Sequence, residues 1–349
     1  MLEHGGRLRA AATHYGIALD RWLDLSTGIN PQPYPLPDIP AAAWHRLPED
    51  DDGLEAAAAA YYGSDQLLAV AGSQPAIQAL PVLVSGERVT VLAPTYAEHP
   101  HAWRGRRLRA VDASAGDPAR AADAIDAALD DTDVLLLVHP NNPTGLRFAR
   151  NRLLDWHARL ARRGGWLIID EAFIDTDPAA SLVGLSGTAG LIVLRSLGKF
   201  FGLAGARVGF VFAPTELRAQ LADLLGPWAV SGPARHAARA ALTDRAWQTM
   251  MRHTLATASA RLTALLDATG LDARHGSALF RWCPHPAAAS LHTALARQGV
   301  FVRLFAPPGD TPSLRFGLPA DEAGWLRLEA ALATVRPIVQ SQPRAALTS

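Results

Sequence analysis

Between residues 67 and 212, short apolar runs recur, each too brief for a helix and several followed by an amphipathic stretch. The runs are Leu67–Ala71, Arg88–Leu92, Val134–Val138, Trp166–Ile169, Leu191–Leu194 and Val208–Phe212. Helical patterns lie between several of them, at Pro75–Val84, Pro118–Leu129 and Asn151–Arg163. Strands that alternate with helices predict an α/β fold with a largely parallel sheet covered on both faces. DVLLLVHP and WLIIDEA are apolar almost throughout, as doubly covered strands should be.

Outside that block the pattern differs. Residues 31–40, PQPYPLPDIP, are too proline-dense for a regular helix or a central strand and read as an extended arm. Leu54–Tyr62 is helical, with Gly63 as its stop. After residue 214 come long helices, clearest at Glu216–Leu225 and Asp244–Thr269. A smaller α+β unit closes the chain, with strands at Leu279–Cys283, Val300–Leu304 and Ser313–Gly317 and a last helix at Ala320–Val335. The expected division is an arm over 1–40, a large domain over 41–245, a small domain over 246–340 and a frayed tail over 341–349. Two closely packed domains suit 349 residues. Lys+Arg and Asp+Glu are both 33, which argues against a broad basic surface for nucleic acid or an anionic membrane. Cys283 is the single cysteine, so an internal disulfide is impossible and a cysteine metal site is not expected. The start MLEHGGRLRA lacks a signal-peptide core, and no run approaches a membrane span, so a cytoplasmic protein is expected.

Chemistry concentrates in Arg195–Phe210. A strand runs out, Lys199 follows among Leu197, Phe200 and Phe201, and a glycine-bearing loop leads to Arg207. Desolvation there disfavours the ammonium form, and a neutral amine is what attacks an aldehyde. Ser196 and Arg207 suit a phosphate, by hydroxyl and by charge-assisted fork. A lone lysine on such a loop is more often a surface residue; the whole segment argues otherwise. Asp170 ends the WLIID strand, where ligands of open α/β sheets bind, and its carboxylate can pair with a protonated pyridine nitrogen. The alternative is that Asp170 or Glu171 caps the next turn. In His139–Gly145 an asparagine amide can meet the phenolic oxygen of such a cofactor; Asn142 is the choice, with Asn141 a turn residue. Gly72, Ser73, Gln74 and Pro75 form a helix start suited to an anion. Tyr96, just past a strand end, has a ring that can stack on a pyridine, or simply pack. Arg315, between Leu314 and Phe316, needs an anionic partner, either a substrate carboxylate or an internal salt bridge. Arg303 poses the same question.

In this order, the pieces resemble the aspartate-aminotransferase-like superfamily, fold type I of the pyridoxal-phosphate enzymes, from about residue 20 to residue 335. Asn-Pro-Thr-Gly or Ser-x-x-Lys alone would be weak; the ordered set is specific. Within that superfamily the chain looks like the threonine-phosphate decarboxylases of cobalamin biosynthesis. The pointers are His4-Gly5-Gly6, Leu25–Pro31, Asp170–Asp175, Leu194–Phe200 and Pro227–Ser231. The resemblance implies a seven-stranded, mostly parallel sheet and pyridoxal 5'-phosphate joined to Lys199. It implies Asp170 on the pyridine nitrogen, Asn142 on the ring oxygen, Tyr96 on the ring, and Ser73, Gln74, Ser196 and Arg207 around the phosphate. Arg315 would hold the carboxylate of a small phosphorylated amino acid, with His4, Asn30 and Arg303 nearby. No metal is implied, and a homodimer is. Many relatives carry tyrosine three residues after the strand aspartate; Phe173 stands here, so the ring oxygen rests more on Asn142. Relatives often have Asn-Gly before the phosphate helix, where this chain has Ala71-Gly72. The expected reaction is decarboxylation of L-threonine O-3-phosphate. Its rivals are amino transfer from histidinol phosphate and a non-catalytic protein of the same fold.

Overall fold

The computed structural model describes residues 5–306 and 311–341. Seven strands form the central sheet: β1 Leu67–Val70, β2 Arg88–Ala93, β3 Arg107–Asp112, β4 Val134–Val138, β5 Trp166–Asp170, β6 Leu191–Ser196 and β7 Gly209–Phe212. Their spatial order is β1-β7-β6-β5-β4-β2-β3. Only β7 runs against its neighbours. Strand alternation sorts the core into two layers. Leu135, Leu137, Leu167, Ile169, Leu191 and Val193 pack on one face, while Val134, Leu136, Ile168, Ile192 and Leu194 pack on the other. Both faces are therefore dry, as the unbroken apolar runs require.

β3 has no apolar run behind it. It is the sheet edge, bonded only to β2, and four of its first residues, Arg107 to Ala110, are exposed. A charged edge discourages pairing with another chain, and the same charges hide the strand from a search for apolar periodicity. Several boundaries also differ from the sequence reading. The helix after β1 starts at Ser73, not Pro75. The arm holds a helix, Leu8–Tyr15, ended by Gly16 at φ +66°. Gly232–Thr243 is a further helix, and the last one, Glu322–Ser341, runs past Pro337.

Asp244 caps the long helix Arg245–Thr269, accepting from Trp247 N–H at 2.9 Å. Beyond it lies an antiparallel sheet of β8 His275–Ser277, β9 Phe280–Pro284, β10 Arg303–Phe305 and β11 Ser313–Gly317, in the order β10-β11-β9-β8. The expected strand Val300–Leu304 is divided. Val300–Phe301 pairs in parallel with Leu23–Asp24, whereas Arg303–Phe305 pairs antiparallel with β11. The chain changes partners at the buried Val302. Leu25 then bridges both parts, donating to Phe301 O and accepting from Gly317 N–H, each at 2.7 Å.

Candidate active site

The C-terminal ends of the parallel strands gather the chemistry. β5 ends on Asp170 and β6 on Ser196; Tyr96 follows β2, and Asn141 and Asn142 follow β4. Lys199 sits three residues past β6, between the fully buried Leu197 and Phe200. Its Nζ lies 5.6 Å from the centre of the Phe173 ring. Burial pushes the amine down to about 8; Arg315 and Arg207 push the same way and Asp170 opposes them. A free lysine of this kind is a competent nucleophile near neutral pH.

Asp170 is buried and does two jobs. One oxygen accepts from Ala172 N–H at 3.0 Å; the other meets His99 Nε2 at 2.9 Å. It therefore caps the turn and also lines the pocket beside Lys199. Glu171 points elsewhere, into Arg195 (3.0 Å), Ser181 and Leu182 N–H (2.8 Å). His99 is a residue the sequence reading missed. It is almost wholly buried, and Tyr96 packs edge-on against it with centroids 5.9 Å apart. Spacing gave one signal, a histidine one helical turn after the aromatic. His101 in the same short helix made that signal ambiguous.

Two glycines shape the anion cup. Gly72 has φ +73°, and a Cβ there would collide with the Arg207 guanidinium. A Cβ on Gly209 would come within 2.9 Å of Gly72 C and Ser73 N. The Arg207 fork thus lies against the start of the Ser73 helix, with Ser196 lining the same cavity. A helix start, a hydroxyl and a guanidinium line one cavity, a set that fits the phosphate of pyridoxal phosphate. Gln74 lines the cavity too, but its amide donates to Glu98 at 2.8 Å, and its carbonyl oxygen faces the Tyr96 hydroxyl at 3.4 Å. Burial first, then Asp170 and Glu98, push that hydroxyl up to about 12. The Lys199 amine, the Asp170 carboxylate and this cup lie on one cavity wall, the set a pyridine aldehyde with a phosphate requires.

A second cavity adjoins the first and shares Tyr96, Asn142 and Lys199 with it. Arg315 projects from β11, and Arg303 sits directly opposite in register on β10. Arg315 donates to Asn142 Oδ1 at 2.5 Å and to Ser26 O at 2.7 Å. Its buried Nε has no partner, and among the described residues no carboxylate lies within 4.0 Å of it. Burial and then the Arg303 charge push its basicity down. Like charges opposite each other on a ladder are unfavourable, and an anion placed between them would offset that. Asn141 is a turn residue as expected, bonded to Pro94 O and Thr144. Asn30 has a different place from the one expected beside substrate: both ends of its amide are bonded to backbone beneath the lysine loop. His4 lies outside the described residues; Gly5 lines the cavity. A larger cavity near Leu67, Leu225 and Trp228 lies apart from this chemistry, and its Arg235 is already held by Asp52 and Glu55. No group of metal-ligating residues occurs among the described residues.

Residues 44–331 match the family described as aminotransferase class I and II. A threonine-phosphate decarboxylase of Pseudomonas aeruginosa is 56% identical, over 95% of this chain and 97% of that protein. One from a Sinorhizobium species is 43% identical, over 95% and 98%. The solved histidinol-phosphate aminotransferase of Sinorhizobium meliloti, in complex with pyridoxal-5'-phosphate, superposes with a TM-score of 0.80. It shares 22% identity and covers 97% of this chain and 96% of that one. The fold, the lysine pocket and this kinship converge: the chain belongs to the class I and II aminotransferase family of fold type I pyridoxal-phosphate enzymes, within its threonine-phosphate decarboxylase branch.

Proposed function

We propose that the chain decarboxylates L-threonine O-3-phosphate to (R)-1-amino-2-propanol O-2-phosphate, a step of cobalamin biosynthesis. The observation that carries the reading is identity with threonine-phosphate decarboxylases along nearly the whole chain. The cavity agrees with it, since two arginines in register suit a substrate with two anionic groups.

Pyridoxal phosphate, when bound, supplies an aldehyde for the substrate amine and a protonated pyridine that takes up the electron pair of the bond broken at Cα. The protein supplies the rest. Lys199 would hold the cofactor, and its depressed basicity favours the neutral amine that such a bond needs. Asp170, oriented by His99, keeps the pyridine nitrogen protonated. Arg315, braced by Asn142, would hold the substrate carboxylate and fix its orientation. Arg303 takes the phosphate at the far end. The carboxylate would depart as carbon dioxide and one proton would be added at Cα; Lys199, which lines both cavities, is the group that would deliver it.

Product analysis tests the reading. Phosphothreonine should yield carbon dioxide with no 2-oxoacid present. Amino transfer from histidinol phosphate to 2-oxoglutarate, without carbon dioxide, would replace it with the aminotransferase reading. A cytoplasmic homodimer is part of the proposal. The exposed Trp44, Leu47 and Trp228 offer apolar surface to a second copy, and sedimentation velocity across a dilution series distinguishes dimer from monomer.

A further inference from the structure

Three successive carbonyls of the lysine loop are held by one short stretch of the arm. Asn30 N–H donates to Lys199 O at 3.0 Å, Asn30 Nδ2 to Phe200 O at 2.8 Å, and Tyr34 N–H to Phe201 O at 2.9 Å. Asn30 Oδ1 accepts from Gln32 N–H at 2.9 Å, so both ends of the amide are used. The approach is close: a Cβ on Gly202, at φ +70°, would lie 2.6 Å from Pro33 Cα. The loop has little of its own to fix it. Its internal backbone bonds are Gly202 N–H to Lys199 O and Leu203 N–H to Leu197 O. The same arm places Thr27 and Ile29 on the substrate cavity, and Ser26 O on Arg315.

We infer that Asn30 is a positioning residue for Lys199, fixing the loop that aims the amine, and does not grip the substrate. This rests on the reading of Lys199 as the lysine that carries the cofactor. Asparagine suits the task because one rigid group both donates and accepts; aspartate can only accept, and alanine can do neither. At 2% exposure Asn30 has no water to replace a lost partner. Binding at Lys199 and clasping by the arm must then favour each other by an equal factor.

The test begins with borohydride reduction of wild-type holoenzyme and peptide mapping. Label found away from Lys199 would sink the site reading, whatever Asn30 does. With label on Lys199, Asn30→Ala and Asn30→Asp are compared with wild type as holoenzymes. Both are expected to release cofactor about tenfold faster on dilution and to lower kcat, with KM for phosphothreonine within about twofold. The pH midpoint of the bound cofactor's visible absorbance should also move. A KM raised about tenfold, with cofactor retention and absorbance midpoint unchanged, would make Asn30 a substrate ligand and overturn the inference. Hydrogen exchange on wild type gives a second reading that needs no variant. The Asn30 and Tyr34 amides are expected to exchange about tenfold more slowly in holoenzyme than in apoenzyme. Equal exchange in the two forms would refute the coupling.

Discussion

Asp170 shows how a buried carboxylate in the pocket is held by its neighbours. Ala172 N–H takes one oxygen and His99 the other, so its orientation is set before anything binds. Substituting His99→Phe leaves that second oxygen buried without its partner. The expected result is a fall in kcat/KM of roughly tenfold, with the cofactor still bound, read by steady-state kinetics and absorbance. Lys199 gives a signed pH prediction. Its folded pKa, about 8, lies below the 10.5 of an ordinary lysine, so the unfolded chain binds more protons between those values. Apoenzyme stability should therefore rise with pH across that window, and Lys199→Met should flatten the rise in thermal midpoints. Cofactor uptake by apoenzyme should quicken as pH passes about 8 and the amine becomes neutral. At this scale the sequence was most informative where types and order combine, as at Lys199, Asp170 and Arg207. It was silent on His99, because the partner that gives this histidine meaning lies 71 positions away. It did not reveal that both ends of the Asn30 amide bond to backbone, because an asparagine among pocket residues reads the same whether its amide faces ligand or backbone.

Elements bring these residues together through their junctions. The turn from β1 into the Ser73 helix works because Gly72 has no side chain where the Arg207 guanidinium lies. Gly72→Ala adds both that collision and a positive φ, so cofactor affinity should drop at least about tenfold by fluorescence titration, with a lower thermal midpoint. The β10–β11 ladder carries the opposite bargain. Arg303 and Arg315 face each other across it, a like-charge pairing that is unfavourable in itself. Arg303→Gln should raise KM for phosphothreonine with kcat less affected, read by steady-state kinetics. Interior strands such as β4 and β5 were legible because burial on both faces demands uninterrupted apolar residues. The edge strand β3 and the divided Val300–Phe305 segment were not. One is charged along its length, and the other changes partners without any turn residue to announce it.

Across the whole molecule, the long helix Arg245–Thr269 fastens by its first turns to the lysine loop, the arm and the turn after β5. Trp247 stacks on Phe201 at 5.7 Å and meets Phe200 and Tyr34 edge-on, and Arg252 reaches Asp175 O at 2.9 Å. Trp247→Ala should destabilise the protein by roughly 3 kcal/mol and loosen the lysine loop it supports. Thermal shift and cofactor release measured together would separate that from simple loss of stability. By contrast, removing the exposed Arg261–Glu322 pair should change little. The general architecture was legible from strand–helix alternation. How the arm threads between the two sheets was not, since hydrogen bonds from Asn30 to Phe200 span 170 positions and leave no local pattern. That threading has a consequence at Gly5. The residue lines the cavity holding Arg303 and Arg315, and a Cβ added there would collide with Ser26 O, so even Gly5→Ala would disturb that wall.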